Sequence, residues 1–382
     1  MRTQHHPLRS PSSGTQRALH SWHFGSADNE GPHVYLQASL HADELPGMLV
    51  LQHLKRLLVA AEAAGHITGQ VTIVPMANPI GLDQTLLYAQ LGRFELASGK
   101  NFNRHYPDMA SAISDTVAAQ LGDDETANKR TIRQAMQQWL AAQAPASELD
   151  SLRLTLLTLA CEADVVLDLH CDFEASLHLY VEAPYLDQAD ALMRYLGAQT
   201  VLWAEANNAS SMVGDTRDGL CFDEALSSVW WRLRAQHPDA AIPMACLSST
   251  VELRGQADVS HPLAEQDARN LMAYLTHRGV LSAPSLPMPI AACVPTPLAG
   301  SQTLCAPHAG VLVYQQPVGA QLAVGDVVAQ VIDPLTGHTT DLRAEVAGAL
   351  YARHVLRWAT TGLDVAKIAG PTAFKTGQLL SA

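Results

Sequence analysis

The segment HVYLQASLHADELPGMLVLQHLKRLL, residues 33–58, holds an apolar strand, a polar loop and the start of a helix. A strand is predicted over 33–39. Pro46 suits the first turn of the following helix, where its missing N–H is not needed. The loop between them carries His41 and Glu44 in an H-x-x-E pattern. The segment therefore predicts a β–α unit with polar groups at the carboxyl end of its strand, where open α/β sheets bind ligands.

Further strands and helices alternate along the chain. Strands are predicted at 71–76, 165–170, 177–182 and 246–253, and mostly helical structure over 109–160. Such alternation is typical of βαβ units and a largely parallel sheet, with room for an antiparallel strand. The predicted fold class is α/β, a mixed, mostly parallel sheet flanked by helices.

The composition changes near residue 284. PSLPMPIAACVPTPLAG (284–300) carries five prolines and predicts a linker. Beyond it, 301–382 predicts a smaller all-β, barrel-like domain. APHAGVLVY followed by VGDVVAQVID is echoed by AEVAGALYA followed by TGLDVAKIAG. This doubling resembles the biotinyl/lipoyl carrier domain, but the hairpin between the halves has no lysine, which favours a structural cap or assembly module. Residues 1–28 are predicted to be a flexible tail, and 29–283 the main domain.

Charge and cysteine content limit the partners and the compartment. The 382 residues include 24 basic and 37 acidic side chains, a net charge of −13, which argues against nucleic acid and anionic membranes as partners. Six scattered cysteines without a C-x-x-C pair indicate reduced thiols. No apolar signal segment opens the chain and no apolar run approaches membrane-spanning length. A cytoplasmic protein is predicted.

Three side chains form a candidate metal-binding set. His41, Glu44 and His170 each follow a strand-like run. Two histidines and one carboxylate are a ligand set of catalytic zinc, which leaves a fourth position for water. One zinc ion per chain is predicted. Each signal is weak alone, because a lone histidine in a strand is more often part of the core.

Two carboxylates accompany this set. Asp168 precedes His170 by two residues, so both can face one side of the strand and the carboxylate can orient the imidazole. A simple contact at the strand end is the equal alternative for Asp168. Glu252 is the only acidic residue in the apolar stretch 240–253. It is predicted to act as general base and acid, and the alternative is an ion pair with Arg254.

The loop GRFELASGKNFNRHYPD, residues 92–108, supplies candidate anion contacts. Arg93 and Arg104 can bind carboxylates or an oxyanion through a planar pair of donors, and Asn103 adds a neutral donor. The alternative is a solvated basic loop, and that interpretation is preferred for Lys100.

Four motifs together resemble a known family: His41-x-x-Glu44, Asn103-Arg104, Asp168-Leu-His170 and Glu252. They resemble the zinc carboxypeptidase superfamily, and within it the succinylglutamate desuccinylase/aspartoacylase branch, over roughly residues 30–280. The resemblance implies hydrolysis of the amide bond in a small anionic N-acyl amino acid. It also implies that His41, Glu44 and His170 bind one zinc ion and that Glu252 transfers the proton.

The resemblance also implies substrate contacts. Asn103 and Arg104 would bind a substrate carboxylate, Arg93 would polarise the scissile carbonyl, and Arg254 would be an extra anion contact. The chain departs from the family pattern after the zinc histidine, where Cys171 and Asp172 replace small, hydroxyl or amide residues. This departure leaves the acyl group and the amino acid open.

Two other functions stay open. A metallocarboxypeptidase would cleave short peptides with the same groups, and a non-catalytic zinc or ligand-binding module would use them without turnover. A β domain that caps the pocket mouth favours the small substrate over a peptide. The glycine-rich β tail also leaves a homo-oligomer open.

Overall fold

The structure is a computed structural model that describes residues 1–26, 28–205, 219–284, 286–376 and 379. Before residue 300, the described strands are β1 (Arg2–Pro7), β2 (Ala18–Phe24), β3 (His33–Ala38), β4 (Gln70–Val74), β5 (Thr85–Leu86), β6 (Ala89–Gln90), β7 (Val165–Asp172), β8 (Glu174–Ala175), β9 (His178–Glu182), β10 (Thr200–Ala204), β11 (Leu247–Gly255) and β12 (Thr296–Pro297). The described α-helices are α1 (Pro46–Ala63), α2 (Pro79–Leu82), α3 (Met109–Val117), α4 (Glu125–Ala141), α5 (Glu148–Ala160), α6 (Leu186–Leu196), α7 (Phe222–Gln236) and α8 (His261–His277).

One large sheet organises the main domain. Its described strands lie in the order β1-β2-β4-β3-β7-β11-β9-β10-β12. The pairs β3–β4, β3–β7, β7–β11, β9–β10 and β10–β12 are parallel. The pairs β1–β2, β2–β4 and β9–β11 are antiparallel. This arrangement confirms the predicted mixed, mostly parallel α/β sheet.

Helices cover both faces of this sheet. Leu167 and Leu169 of β7 belong to the apolar cluster that includes side chains of α1, α6 and α8. Val166, between them, belongs to the cluster on the other face, with side chains of α3, α4, α5 and α7. A strand buried on both faces is expected to be a nearly continuous apolar run, as β7 is. The polar ends of such strands are then the places where function can lie.

The N-terminus differs from the flexible tail predicted for residues 1–28. β1 pairs with β2, and β2 pairs with β4, so both strands extend the large sheet at one edge. Leu19, Trp22 and Phe24 of β2 are buried. The polar residues between them hide this pattern, and the partner strand β4 comes far later in the sequence. β1 is largely exposed, as an edge strand is.

The C-terminal domain is built from β13 (Ser301–Cys305), β14 (Gly310–Tyr314), β15 (Gln321–Leu322), β16 (Val327–Ile332), β17 (Thr339–Arg343), β18 (Gly348–Arg353), β19 (Trp358–Ala359) and β20 (Asp364–Ala369). Two antiparallel sheets, β13-β20-β18-β15 and β17-β16-β14-β19, enclose one apolar cluster. The repeated sequences become equivalent pairs, β14 with β16 in one sheet and β18 with β20 in the other. The predicted smaller all-β domain is therefore present.

Among the described residues, strand pairing joins the domains at two places. The predicted linker, 284–300, ends in β12, which pairs in parallel with β10 and so belongs partly to the large sheet. β8 pairs with β18 just after the end of β7, and Arg353 Nε lies 2.6 Å from Glu174 Oε2 there. The C-terminal domain is thus fixed beside the ends of the central strands. Within the described ranges, no helix is long and apolar enough to cross a membrane.

Candidate active site

Polar side chains form rows across the central strands. In the register of β7, β11 and β9, Glu252 is level with His170 on one side and with His178 on the other. Thr250 is level with Asp168. Because alternate residues of a strand share a face, His170, Glu252 and Asp168 project from the same side of the sheet.

The loop after β3 places two more polar groups at this edge. Ser39 adopts a left-handed conformation with φ 60°, and its hydroxyl donates to the carbonyl oxygen of Glu44 at 2.7 Å. The N–H of Glu44 donates to the carbonyl oxygen of His41 at 3.1 Å. α1 then begins at Pro46. This tight turn fixes the positions of His41 and Glu44 relative to each other.

The side chains of His41, Glu44 and His170 converge. Glu44 Oε1 lies 3.0 Å from His41 Nδ1, and Glu44 Oε2 lies 2.7 Å from His170 Nδ1. One ligand atom from each residue lies within 4.8 Å of the other two, and all three residues are buried. Two imidazole nitrogens and a carboxylate oxygen are ligand types that zinc binds in catalytic sites.

The outer nitrogen of each histidine has its own polar neighbour. Asn101 Oδ1 lies 2.9 Å from His41 Nε2, and Asp168 Oδ2 lies 3.0 Å from His170 Nε2. An acceptor beside Nε2 keeps the proton there and leaves the Nδ1 lone pair for a metal. The donor set therefore fits a divalent metal bound through both Nδ1 atoms and Glu44.

Burial and charge set the protonation of this group. Burial, followed by the charge of Arg93, lowers the pKa of His41 to about 4, so its imidazole is neutral near pH 7. Burial opposes ionisation of Glu44, but the two imidazoles hold the pKa of its carboxyl well below the usual range. Burial opposes it, but Asp168 and Glu44 hold the pKa of His170 well above its ordinary value. Metals bind the neutral imidazole and the ionised carboxylate, so a metal that binds here releases the proton of His170.

Glu252 faces the same cavity and is otherwise enclosed by protein. Desolvation, and after it the charge of Glu44, raise the pKa of Glu252 to about 8. Its Oε2 atom is buried and has no hydrogen-bond partner among the described residues. A carboxyl group that exchanges its proton near neutral pH is what general acid–base catalysis needs.

The cavity over these groups has a volume of about 490 Å³. Its lining includes His41, Glu44, His170, Glu252, Arg93, Asn103 and Arg104. Arg93 reaches the metal-binding group, because its Nη1 lies 3.3 Å from His41 Nδ1 and 3.8 Å from Glu44 Oε1. The structure thus brings together the predicted metal ligands, the predicted base and three predicted anion contacts.

Asn103 and Arg104 are held by the backbone around them. The Asn103 side-chain oxygen accepts the N–H of Phe222 at 2.8 Å, and its Nδ2 lies 3.5 Å from His170 Nε2. Arg104 Nη1 donates to the carbonyl oxygen of Asn103 at 2.8 Å. Both side chains are buried and line the cavity. Both side chains are therefore fixed in the cavity wall.

Arg254 is placed elsewhere. It has a left-handed φ of 67° in the irregular stretch where β11 and β7 lose register between Glu252 and Gly255. The guanidinium therefore turns toward α8 and binds the carboxylate of Asp267, with Nη1 at 3.3 Å from Oδ1. The predicted anion contact by Arg254 is wrong, and so is the alternative ion pair with Glu252, because Arg254 is bound to Asp267 instead.

Three residues of the site were not predicted. Asn101 stands first in the pattern N-x-N-R, and besides contacting His41 it accepts the N–H of Asn103 at 2.8 Å. Asp172 and Lys367 line the cavity together, with Lys367 Nζ donating to Asp172 Oδ2 at 2.7 Å. The N-x-N-R spacing is a usable signal for Asn101. No local signal identifies Lys367, because 195 residues separate it from Asp172.

Comparison with known proteins agrees with this geometry. The model of the succinylglutamate desuccinylase/aspartoacylase catalytic domain matches residues 30–278. The chain belongs to this family. The match spans the strands and loops that carry the cavity residues of the main domain, including His41, Asn103, His170 and Glu252.

Solved structures similar to this chain cover both of its domains. A succinylglutamate desuccinylase/aspartoacylase family protein from Shewanella amazonensis is 26% identical, with a TM-score of 0.82 over 97% of this chain and 98% of that one. A second, from Shewanella frigidimarina, is 24% identical, with a TM-score of 0.83 over 96% of each chain. The product-bound ectoine utilization protein EutE from Ruegeria pomeroyi is 18% identical, with a TM-score of 0.60 over 96% of this chain and 95% of that one. Among curated proteins, none matches this chain.

Proposed function

We propose that this chain hydrolyses the amide bond of a small N-acyl amino acid with one zinc ion bound by His41, Glu44 and His170. The observation that carries the proposal is Glu252. One of its carboxylate oxygens has no hydrogen-bond partner in the part of the chain that the structure describes, and the residue is level with His170 on the adjacent strand. Such a group beside a metal-binding set suits proton transfer. Membership of the family supports hydrolysis as the reaction class.

The residues divide the chemistry between them. A zinc ion in this group would supply Lewis acidity toward water and the scissile carbonyl. Glu252 takes a proton from the attacking water and returns it to the leaving amine nitrogen. Its pKa near neutrality suits it for both transfers. Asn101 and Asp168 hold the two imidazoles in the orientation and tautomer that the metal requires.

The basic residues bind the substrate. Asn103 and Arg104 are buried donors in the cavity wall, and we assign them to the substrate carboxylate. Arg93, whose Nη1 lies 3.3 Å from His41 Nδ1, is close enough to the metal-binding group to donate to the oxyanion that forms on the carbonyl. Binding and charge stabilisation thus come from different side chains.

The cavity favours a small substrate over a peptide. Residues of the C-terminal domain, among them His354, Leu363 and Lys367, form part of its lining. A volume of about 490 Å³ lies within the range of small-molecule sites. A peptide chain would need an open path where this domain stands.

The test compares wild type with Glu252→Gln, which keeps the shape of the side chain but cannot transfer the proton. Zinc content by elemental analysis should be about one per chain in both proteins. Hydrolysis of a panel of N-acyl amino acids and short peptides should fall by about 10²–10⁴ in the variant. His41→Ala is the second variant, and it should lose both zinc and turnover.

Two results would overturn the proposal. One is hydrolysis by Glu252→Gln at the wild-type rate. The other is wild-type protein that takes up no zinc after incubation with it. Hydrolysis of peptides in preference to N-acyl amino acids would favour the carboxypeptidase instead.

We also propose a cytoplasmic location. All six cysteines are free, and four of them are buried. Unpaired thiols in a chain of this size are typical of a reducing compartment. Fractionation of cells with an antibody to the chain tests this proposal, and recovery in an oxidising compartment would contradict it.

A further inference from the structure

An ion pair forms part of the cavity wall where the two domains meet. Lys367 Nζ, on β20, donates to Asp172 Oδ2, at the end of β7, at 2.7 Å. Asp172 Oδ1 accepts the N–H of Phe173 at 2.8 Å. Both members of the pair line the cavity. Asp172 already supplies a carboxylate to Lys367, so the ammonium group is paired before a substrate enters the cavity.

The contacts around Asp172 hold this pair in place. β8 follows Asp172 and pairs with β18 of the C-terminal domain. Glu174 in β8 accepts from Arg353 Nε at 2.6 Å and from Arg357 Nη2 at 2.5 Å. The carbonyl oxygen of Asp172 accepts the N–H of Gln256 at 3.0 Å. The position of Lys367 relative to Asp172 is thus fixed by backbone pairing as well as by charge.

This end of the cavity carries no excess of positive charge. Lys367 Nζ and Asp172 Oδ2 lie 2.7 Å apart, the distance of a charge-assisted hydrogen bond between an ammonium and a carboxylate. The positive charge of the lysine is therefore matched by the negative charge of the aspartate. His354 packs against Phe173, with ring centroids 4.2 Å apart, and burial lowers the pKa of its imidazole.

The other charged part of the cavity differs. Asn103 and Arg104 provide donors for one carboxylate, and Arg93 lies beside the metal-binding group. Asp172 lies two residues after His170 on the same strand, about 7 Å away between Cα atoms at normal strand spacing. A substrate whose amide lies at the metal-binding group and whose carboxylate lies at Arg104 therefore has its remaining end within reach of the ion pair.

We propose that the Asp172–Lys367 pair makes the cavity select substrates with a single carboxylate, whose remaining end is uncharged. This inference rests on the proposed function and specifies its substrate class. A second carboxylate would have to displace Asp172 from Lys367 or lie beside Asp172. Two carboxylates that share one site repel each other. Selection against a competitor by a repulsive group is a common source of specificity. Asp172 would thus exclude acidic side chains and dicarboxylic acyl groups.

The test uses two pairs of probes that differ in one charge. N-acetyl-L-aspartate and N-acetyl-L-asparagine vary the amino acid, and N-succinylglycine and its terminal amide, N-succinamoylglycine, vary the acyl group. In each pair, the acid is the probe with two carboxylates and the amide is the probe in which one of them is replaced by an uncharged carboxamide. In zinc-loaded wild type, kcat/KM should be higher for the amide than for the acid by about tenfold or more in at least one pair. In Asp172→Asn, which leaves Lys367 unpaired, the preference should reverse toward the acid.

Two further variants check the assignment. Asp172→Asn combined with Lys367→Met should lose the gained preference for the acid, because no cation is left to bind it. Asp364→Asn removes the same charge from an exposed position of the cavity lining. Its ratio of acid to amide should stay within about twofold of wild type, because solvent screens exposed charges. A shift as large as that of Asp172→Asn would overturn the specific role of the pair.

Calorimetric titration separates this inference from the proposed function. The Glu252→Gln protein is titrated with the four probes, with and without Asp172→Asn. A ratio of dissociation constants that favours the amide, and reverses with Asp172→Asn, supports the inference even when wild type hydrolyses none of the probes. That absence of hydrolysis would count against the proposed function alone.

Three results would overturn the inference. The proposed function is judged separately, and it stands if wild type hydrolyses any of the probes. They are equal acid-to-amide ratios with and without Asp172 in both pairs, a wild-type preference for the acid, and no binding of any of the four probes. Lys367→Met covers the case in which Asp172→Asn does not fold. It leaves Asp172 without its cation, so it should strengthen the preference for the amide, and a shift toward the acid would refute the inference.

Discussion

Asp168→Asn tests whether a buried carboxylate determines which nitrogen of His170 carries the proton. Asp168 Oδ1 accepts from Gln37 Nε2 at 3.0 Å, and Oδ2 lies 3.0 Å from His170 Nε2. Gln37 is itself oriented by Tyr35, whose hydroxyl donates to its Oε1 at 2.8 Å. The Gln37 amide therefore presents its NH₂ group to position 168. An asparagine there must turn its oxygen toward Gln37 and its own NH₂ group toward His170.

That arrangement reverses the tautomer of His170. An NH₂ group facing Nε2 favours the proton on Nδ1, the atom that lies 2.7 Å from Glu44 Oε2 and faces the metal position. Loss of such an orienting partner typically weakens metal affinity by about 10–100-fold, or about 1.4–2.8 kcal/mol. Asp168 is 0% exposed, so water cannot replace it. We therefore expect the upper end, about a hundredfold loss of zinc affinity.

The assay is competition for zinc between metal-stripped protein and a chelator of known affinity at fixed pH. Thermal unfolding followed by circular dichroism reports whether the variant is folded. Asp190→Asn is the control, because it makes the same chemical change in a half-buried ion pair with Arg194, away from the cavity, and should leave zinc affinity unaltered. A folded Asp168→Asn protein with wild-type zinc affinity would refute the reasoning.

Three other side chains test the substrate contact, the core and a buried charge. Arg104→Ala should raise KM by about 10–100-fold with little change in kcat, and an unchanged KM for the best N-acyl amino acid would contradict its role. Leu167→Ala should lower the free energy of unfolding by about 2–5 kcal/mol, measured by urea denaturation, whereas Leu335→Ala, 93% exposed, should have little effect. Burial, and then the charge of Glu224, raise the pKa of Glu182 from 4.5 to about 8. The folded state binds more protons between these values, so stability should fall as pH rises from about 4.5 to about 8 and level off above, and Glu182→Gln should flatten this part of the urea profile.

The metal-binding group could be anticipated because its signals are local. His41 and Glu44 share one turn between a strand and a helix, and His170 ends an apolar strand. Parallel strands bring their carboxyl ends to one edge, so strand prediction alone is enough to place these groups near each other. Glu252 followed from the same logic, since a carboxylate in an apolar strand needs a partner or a function.

The errors lie where local pattern does not decide the structure. The alternation of side chains along β11 predicts that Arg254 follows Glu252 into the cavity, but one left-handed residue turns its side chain away. β1 and β2 are stabilised by pairing with β4, a contact that their own composition does not reveal. Lys367 reaches the cavity only because two domains pack together. Each case depends on tertiary contacts between segments distant in sequence.

The late position of β20 in the sequence has a consequence for folding. His41, Glu44 and His170 belong to the α/β domain, whereas Lys367 is added across a separation of 195 residues from Asp172. Contacts that close long loops tend to form late, because their entropy cost must be met before they stabilise the chain. A partly folded chain would then be able to bind zinc before its C-terminal domain docks. Such an intermediate would be the least selective form of the protein, and discrimination between substrates would be the last property to mature.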